Sequence, residues 1–155
     1  MKRAEVFWSA GEYMMKQGYY DIAAFNFEQA VQLRLKAILL ELTGDVLKTH
    51  SIRTLLDAIG EALGRREEVR KFIREHRNDI KALEDTYVET RYEAVVYKDY
   101  DAEAIRKSAK LILDFVEEFV RKNGEHSKVA NQEDEKEVSD DKELPQVSSS
   151  DKGGM

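Results

Sequence analysis

From Tyr20–Asp21 to Thr43 the chain is apolar at Ala23, Ala24, Phe27, Ala30, Val31, Leu35, Ile38, Leu39 and Leu42, and again at Phe25, Leu33 and Leu40. On a helix of 3.6 residues per turn these positions cover most of the circumference, which neither a strand nor a single amphipathic stripe would produce. A helix apolar nearly all round has to be surrounded by others. At about 1.5 Å per residue it spans roughly 35 Å, long for a domain of this size. The segment therefore predicts the central helix of an all-α bundle, entered after Gly18 and left at Gly44.

The rest of the chain supplies the surround. Val6, Phe7, Ala10, Tyr13 and Met14 form a stripe on a first helix, about Arg3 to Gln17. Ser51 is placed to cap a third helix carrying Ile52, Leu55, Leu56, Ile59 and Leu63. A fourth, about Arg66 to Asp85, buries Val69, Phe72, Ile73, Ile80 and Leu83. Asp101 is the expected N-cap of a fifth, with Ile105, Ala109, Ile112, Leu113, Val116, Phe119 and Val120 on one face and Asn123-Gly124 at its end. The expectation is a five-helix up-and-down bundle over residues 1–123.

Between the last two helices residues 86–100 show no clear helical period and hold four of the seven tyrosines. Irregular stretches of about 15 residues in compact domains are usually functional or disordered, and so many aromatic rings argue for function. Beyond Gly124 the period disappears. Residues 124–155 are Glu, Asp, Lys, Ser and Gly around the single Pro145, too poor in apolar side chains to offset chain entropy. They are expected to form a disordered acidic tail that solubilises the chain or meets a partner.

Charge sharpens this division. The tail holds nine acidic residues and four lysines, so it accounts for most of the net charge of −6 and leaves residues 1–123 near −1. Any nucleic-acid affinity must come from a local patch. The absence of cysteine excludes a disulfide framework, a thiolate metal site and a cysteine nucleophile. Met1-Lys2-Arg3-Ala4-Glu5 does not read as a secretory signal, and no run of 18 apolar residues spans a membrane, so a cytoplasmic protein is expected.

Thr90-Arg91-Tyr92 is the most pointed constellation. A guanidinium forks onto phosphate, and a tyrosine ring offers a face on which a base stacks; Tyr87 and Tyr97 could extend that platform. The plainer reading is a tyrosine plug with Arg91 paired to Glu84, Asp85 or Glu89. Arg70, Arg74, Arg77 and Lys81 recur at i, i+4, i+7 and i+11, a possible secondary basic face on the fourth helix. Glu67, Glu84 and Asp85 stand one turn away, which favours an ordinary solvated face. His50, His76 and His126 are too scattered for a metal motif, and there is no phosphate loop or dinucleotide fingerprint, so neither metal nor cofactor is expected.

Two families share these features. Trp8 to Ala30 is similar to a tetratricopeptide unit, which would make the chain a helical protein–protein adaptor. No second copy follows, and one repeat cannot close its own core. The better match is to the HEPN family of small, mostly prokaryotic helical bundles. It rests on Gly18-Tyr19-Tyr20 leading into Ala23-Ala24-Phe25, Gln29-Ala30 and Leu35-Lys36-Ala37, then His50-Ser51-Ile52 with Leu55-Leu56, then Tyr87 and Thr90-Arg91-Tyr92, then Tyr100-Asp101-Ala102. Many members have proline after the Arg-Tyr pair, where this chain has Glu93.

The resemblance implies a homodimer that binds a nucleotide or RNA. It also implies a nucleotidyltransferase partner, as in a toxin–antitoxin-like system, and it makes His50 a family-position histidine. Many members are metal-independent ribonucleases that use an arginine and a histidine a few residues further on. Arg70 and His76 have that spacing, but on a continuous helix they point about 120° apart. No histidine follows Arg91 before the last helix, and Tyr97 stands where one would be needed; phenol is a poor base at neutral pH. The residues therefore point to a non-catalytic binding module, with a ribonuclease as the alternative.

Overall fold

A computed structural model describes the backbone of residues 2–92 and 95–141 and the side chains of residues 3–92 and 95–123. Among the described residues there are six helices and no strand: α1 (Lys2–Lys16), α2 (Tyr20–Thr43), α3 (Ile52–Ala62), α4 (Arg66–Glu75), α5 (Arg77–Tyr92) and α6 (Asp99–Asp141). The chain divides into two compact units, Met1–Glu117 and Glu118–Met155. In the second unit Arg121 pairs with Glu118 at 2.6 Å, one turn apart.

The first unit is organised around α2, as its all-round apolar pattern requires. Ala23, Ala24, Phe27, Val31, Leu35 and Ile38 are buried along its length, and α1, α3 and α5 pack against it. Gly18 and Gly44 both adopt the left-handed conformation that ends a helix, and the Gly44 N–H bonds the Leu40 carbonyl at 2.9 Å. At Gly11 α1 comes close against Phe27 of α2. A Cβ there would lie 2.7 Å from the Phe27 ring, which also meets the Trp8 ring at 4.7 Å. The Ser51 hydroxyl accepts from Thr54 N–H at 3.2 Å, the expected cap of α3.

Three boundaries differ from the sequence reading. The expected fourth helix is two helices: α4 stops at Glu75 and α5 starts at Arg77, with His76 between them at φ −121°, ψ 34°. The described residues thus form six helices rather than five. No glycine or proline marks the joint; Asp79 in the first turn of α5 suits a helix start, where a carboxylate meets the positive end of the dipole. Second, α5 runs on to Tyr92, so residues 86–92 of the expected irregular stretch 86–100 are helical. Third, the last helix begins at Asp99. Asp101 therefore lies inside its first turn, and its carboxylate reaches back to accept the Lys98 N–H at 2.8 Å.

The α6 backbone also continues past the expected stop at Asn123-Gly124 to Asp141. The disorder expected for 124–155 concerns side chains of 124–141 and all of 142–155, which lie outside the described residues. Its energetic content is still testable. Truncation after Asn123 is expected to move the melting temperature by no more than about 4 °C, roughly what 1 kcal/mol produces in a small domain. Loss of a cooperative transition by circular dichroism would show that the tail belongs to the fold. No helix among the described residues is long and apolar enough to cross a membrane.

Candidate functional site

Tyr87 and Arg91 stand one turn apart on α5, the helix that packs against α2. The Arg91 guanidinium carbon lies 4.3 Å from the Tyr87 ring centroid and 5.2 Å from that of Phe25 on α2. Both rings present electron-rich faces to the cation, which fixes the fork without neutralising it. Among the described residues no carboxylate lies within ion-pairing distance of Arg91, and its side chain is exposed. The plug reading, with Arg91 paired to Glu84, Asp85 or Glu89, does not hold. Glu84 accepts from Ser51 and the Arg53 N–H, Asp85 pairs with Lys81, and Glu89 accepts from Tyr97.

Beneath Arg91 a polar thread runs into the bundle. His50, just ahead of α3, stacks on Tyr87 with centroids 4.2 Å apart, and its Nε2 lies 3.1 Å from the Tyr87 hydroxyl. Burial pushes the Tyr87 phenol above its ordinary value, so it stays neutral at physiological pH. The His50 carbonyl accepts from Gln32 Nε2 at 3.3 Å, and Gln32 also donates to Glu28 Oε1. Gln29 donates to Glu28 Oε2 at 2.7 Å. Glu28 is 0% exposed. Burial raises its carboxyl above the ordinary value, against the hydrogen bonds from Gln29 and Gln32 and the charges of Arg91 and Lys36, which lower it.

Sequence reasoning missed Glu28 and Gln32. A signal was available: Glu28 lies one turn from Ala24, Val31 and Gln32 and two turns from Leu35, on a helix with no polar face to spare. A carboxylate inside such a helix is placed among other side chains and needs partners there.

The remaining expected residues divide. Tyr92 is 73% exposed beside Arg91, open for stacking. The Thr90 hydroxyl donates to the Thr86 carbonyl at 2.6 Å, so it serves its own helix. Tyr97 donates to Glu89 at 2.6 Å and approaches the Thr86 hydroxyl at 3.4 Å. Burial, together with the Glu89 bond, pushes its phenol up to about 12. Tyr97 is therefore tied to the side of α5 and is no base at neutral pH.

The expected basic face is broken by the joint at His76. Arg70 and Arg74 lie on α4, Arg77 and Lys81 on α5. Arg70 is 3.6 Å from Asp57 and 3.4 Å from Glu67, and Lys81 is 2.7 Å from Asp85. The His76 ring lies 4.6 Å from that of Phe72, and its Nδ1 is 3.6 Å from Asp79. The angle expected between Arg70 and His76 assumed one continuous helix and does not apply. What separates them is their partners, Asp57 and Glu67 for one and Phe72 and Asp79 for the other.

A concavity of about 420 Å³ lies elsewhere, lined by Trp8, Ala30, Arg34, Arg106 and Glu117 among others. Its arginines are already paired, Arg34 with Glu117 and Arg106 with Glu12 at 2.8 Å. Arg91 does not line this concavity. No group of three or more His, Asp or Glu side chains that could hold a metal ion occurs among the described residues.

Comparison with curated proteins and with solved structures finds no significant match. The model of the HEPN domain family matches residues 1–119, which include α1 to α5, the first part of α6 and every residue of the Arg91 site. The chain belongs to the HEPN family.

Proposed function

We propose that this protein is a non-catalytic HEPN module that binds a phosphate-bearing nucleotide or RNA segment at Arg91. It acts as a homodimer, paired with a nucleotidyltransferase in a toxin–antitoxin-like system. One observation carries the binding: an exposed guanidinium held against Tyr87 and Phe25 with no carboxylate within ion-pairing distance among the described residues. Such a group keeps both its charge and its fork for a phosphate, and exposed Tyr92 offers a face for a base. The absence of turnover is supported by Tyr97, whose proton is held to about pH 12. The dimer is supported by apolar surface left open on α5 beside the site, at Val88 and Tyr92, and by exposed Val96 after that helix.

The ribonuclease reading draws on one feature. Although no histidine follows Arg91 before α6, His50 from another element stacks on the same Tyr87 ring that the Arg91 guanidinium covers. Calorimetric titration with a nucleotide panel and short RNAs, run beside a labelled-RNA assay without metal, separates the two. Saturable binding with intact RNA is expected. Cleavage that disappears in His50→Ala would replace the binding reading with the nuclease one, and no binding by any ligand would end both. In light scattering at micromolar concentration, a mass near the 17.9 kDa of one chain would reject the dimer. Co-expression with a nucleotidyltransferase encoded beside it is expected to yield a complex, and failure to co-purify would remove that partner.

A further inference from the structure

Glu28 places an ionisable group where a charge is least favourable. Its side chain is fully buried, and the ionisable groups around it are few. Lys36 acts from its own helix, and Arg91 and Tyr87 act from α5. From the segment ahead of α3 comes His50, whose carbonyl shares the Gln32 amide with Glu28. Arg91, like His50, is exposed and touched by no carboxylate among the described residues, and of the two it carries the fixed positive charge. Its charge acts on the Glu28 carboxyl and would act on an arriving anion as well.

We propose that Glu28 is a positioning residue for the Arg91 site: a buried counter-charge to the guanidinium in the free protein, which takes a proton from solvent when a phosphate-bearing ligand binds. The proposal rests on the ligand reading above. An anion on Arg91 cancels the positive field that helps to keep Glu28 ionised, while burial opposes the charge as before. Burial is already the stronger influence on this carboxyl, so losing the Arg91 contribution favours the neutral acid. The new O–H then needs an acceptor. Gln29 supplies one: its side-chain amide makes no other hydrogen bond among the described residues, and turning that amide over brings a carbonyl oxygen where the NH₂ stood. Gln32 stays a donor, held by the His50 carbonyl.

The sign follows from linkage. The complex binds more protons than the free protein, so affinity is highest below the titration of Glu28 and falls as pH rises through it. A difference of one unit between the free and bound titration points corresponds to about a tenfold loss of affinity across the window.

The probe is a uridine oligoribonucleotide without terminal phosphate, whose phosphodiesters keep a constant charge from about pH 5 to 8. Calorimetry in buffers of different ionisation heat is expected to read net proton uptake with the wild-type protein. In Glu28→Gln the uptake disappears and the affinity becomes level over that range. In His50→Gln the uptake persists, which separates Glu28 from the neighbouring imidazole. A second measurement needs no ligand: NMR titration of the Glu28 carboxyl, whose titration point is expected to rise in Arg91→Gln. The proposal is overturned if the wild type binds without uptake, if uptake survives in Glu28→Gln, or if Glu28 titrates identically in wild type and Arg91→Gln. If the oligonucleotide does not bind at all, the ligand reading falls, and the carboxyl titration alone decides whether Glu28 and Arg91 are coupled.

Discussion

Phe27→Ala is expected to lower the unfolding free energy by about 3–5 kcal/mol, the usual cost of truncating a fully buried aromatic ring. Phe27 is 0% exposed on the central helix and lies 4.7 Å from the Trp8 ring. It also fills the space that Gly11 leaves by having no side chain. The cavity would open between α1 and α2, which meet at Gly11 and Phe27. Against a total stability of about 5–15 kcal/mol, the variant would be close to unfolding. Urea unfolding with an unchanged slope measures it, and a loss under about 1.5 kcal/mol would contradict the packing described. Gly11→Ala supplies the converse, since the added methyl meets the ring at 2.7 Å. It is expected to cost about 1–3 kcal/mol. The cost should be smaller in a Phe27→Leu background, because the two sites share one volume.

Arg91→Ala is expected to weaken binding of a phosphate-bearing ligand ten- to a hundredfold, the loss of one charge-assisted bidentate contact of about 1.5–3 kcal/mol. Arg91→Lys is expected to restore little, because an ammonium has no fork and stacks less well on Tyr87 and Phe25. Arg74→Ala is the control. Arg74 lies on α4, beyond the joint at His76, and its loss should change affinity less than threefold, or about 0.6 kcal/mol. Calorimetric titration compares all three. Equal affinity in wild type and Arg91→Ala would remove Arg91 from the site, and a larger effect at Arg74 would move the site to the other face.

How much of this was legible in the sequence depended on how far apart the interacting residues lie. The span of α2 was readable because Gly18 and Gly44 bound a long apolar run and adopt the backbone conformation that glycine favours. The cap at Ser51 was readable because capping is a contact over three residues. Arg91 stood out as the only cation between Lys81 and Lys98. Its surroundings did not, since Phe25, Glu28 and His50 reach it through the packing of α2 and the α3 entry on α5. The joint at His76 left no trace because Val69, Ile73, Ile80 and Leu83 keep nearly the same period on both sides of it. The stretch 86–92 was misread for a local reason. Thr86, Val88 and Thr90 are β-branched and weaken a helical reading, yet both threonine hydroxyls bond the carbonyl four residues back, and α5 is held against α2. Glu28 was hidden differently: one charge among apolar neighbours reads as surface until the helix is seen to have none at that position.

The joint at His76 also decides which changes of chain length the site can tolerate. In a single continuous helix, one added residue anywhere upstream would turn every later side chain by about 100°. His76 donates to the Phe72 carbonyl at the end of α4 and accepts from the Ile80 N–H at the start of α5, so the two helices meet at that residue, α4 packing on α3 and α5 on α2. A residue inserted next to His76 would lengthen the joint and leave Tyr87 and Arg91 facing α2. The same insertion beside Ala82 would swing Arg91 away from Phe25. Homologous chains that bind the same kind of ligand should therefore differ in length at the joint and hold their length from Arg77 to Tyr92.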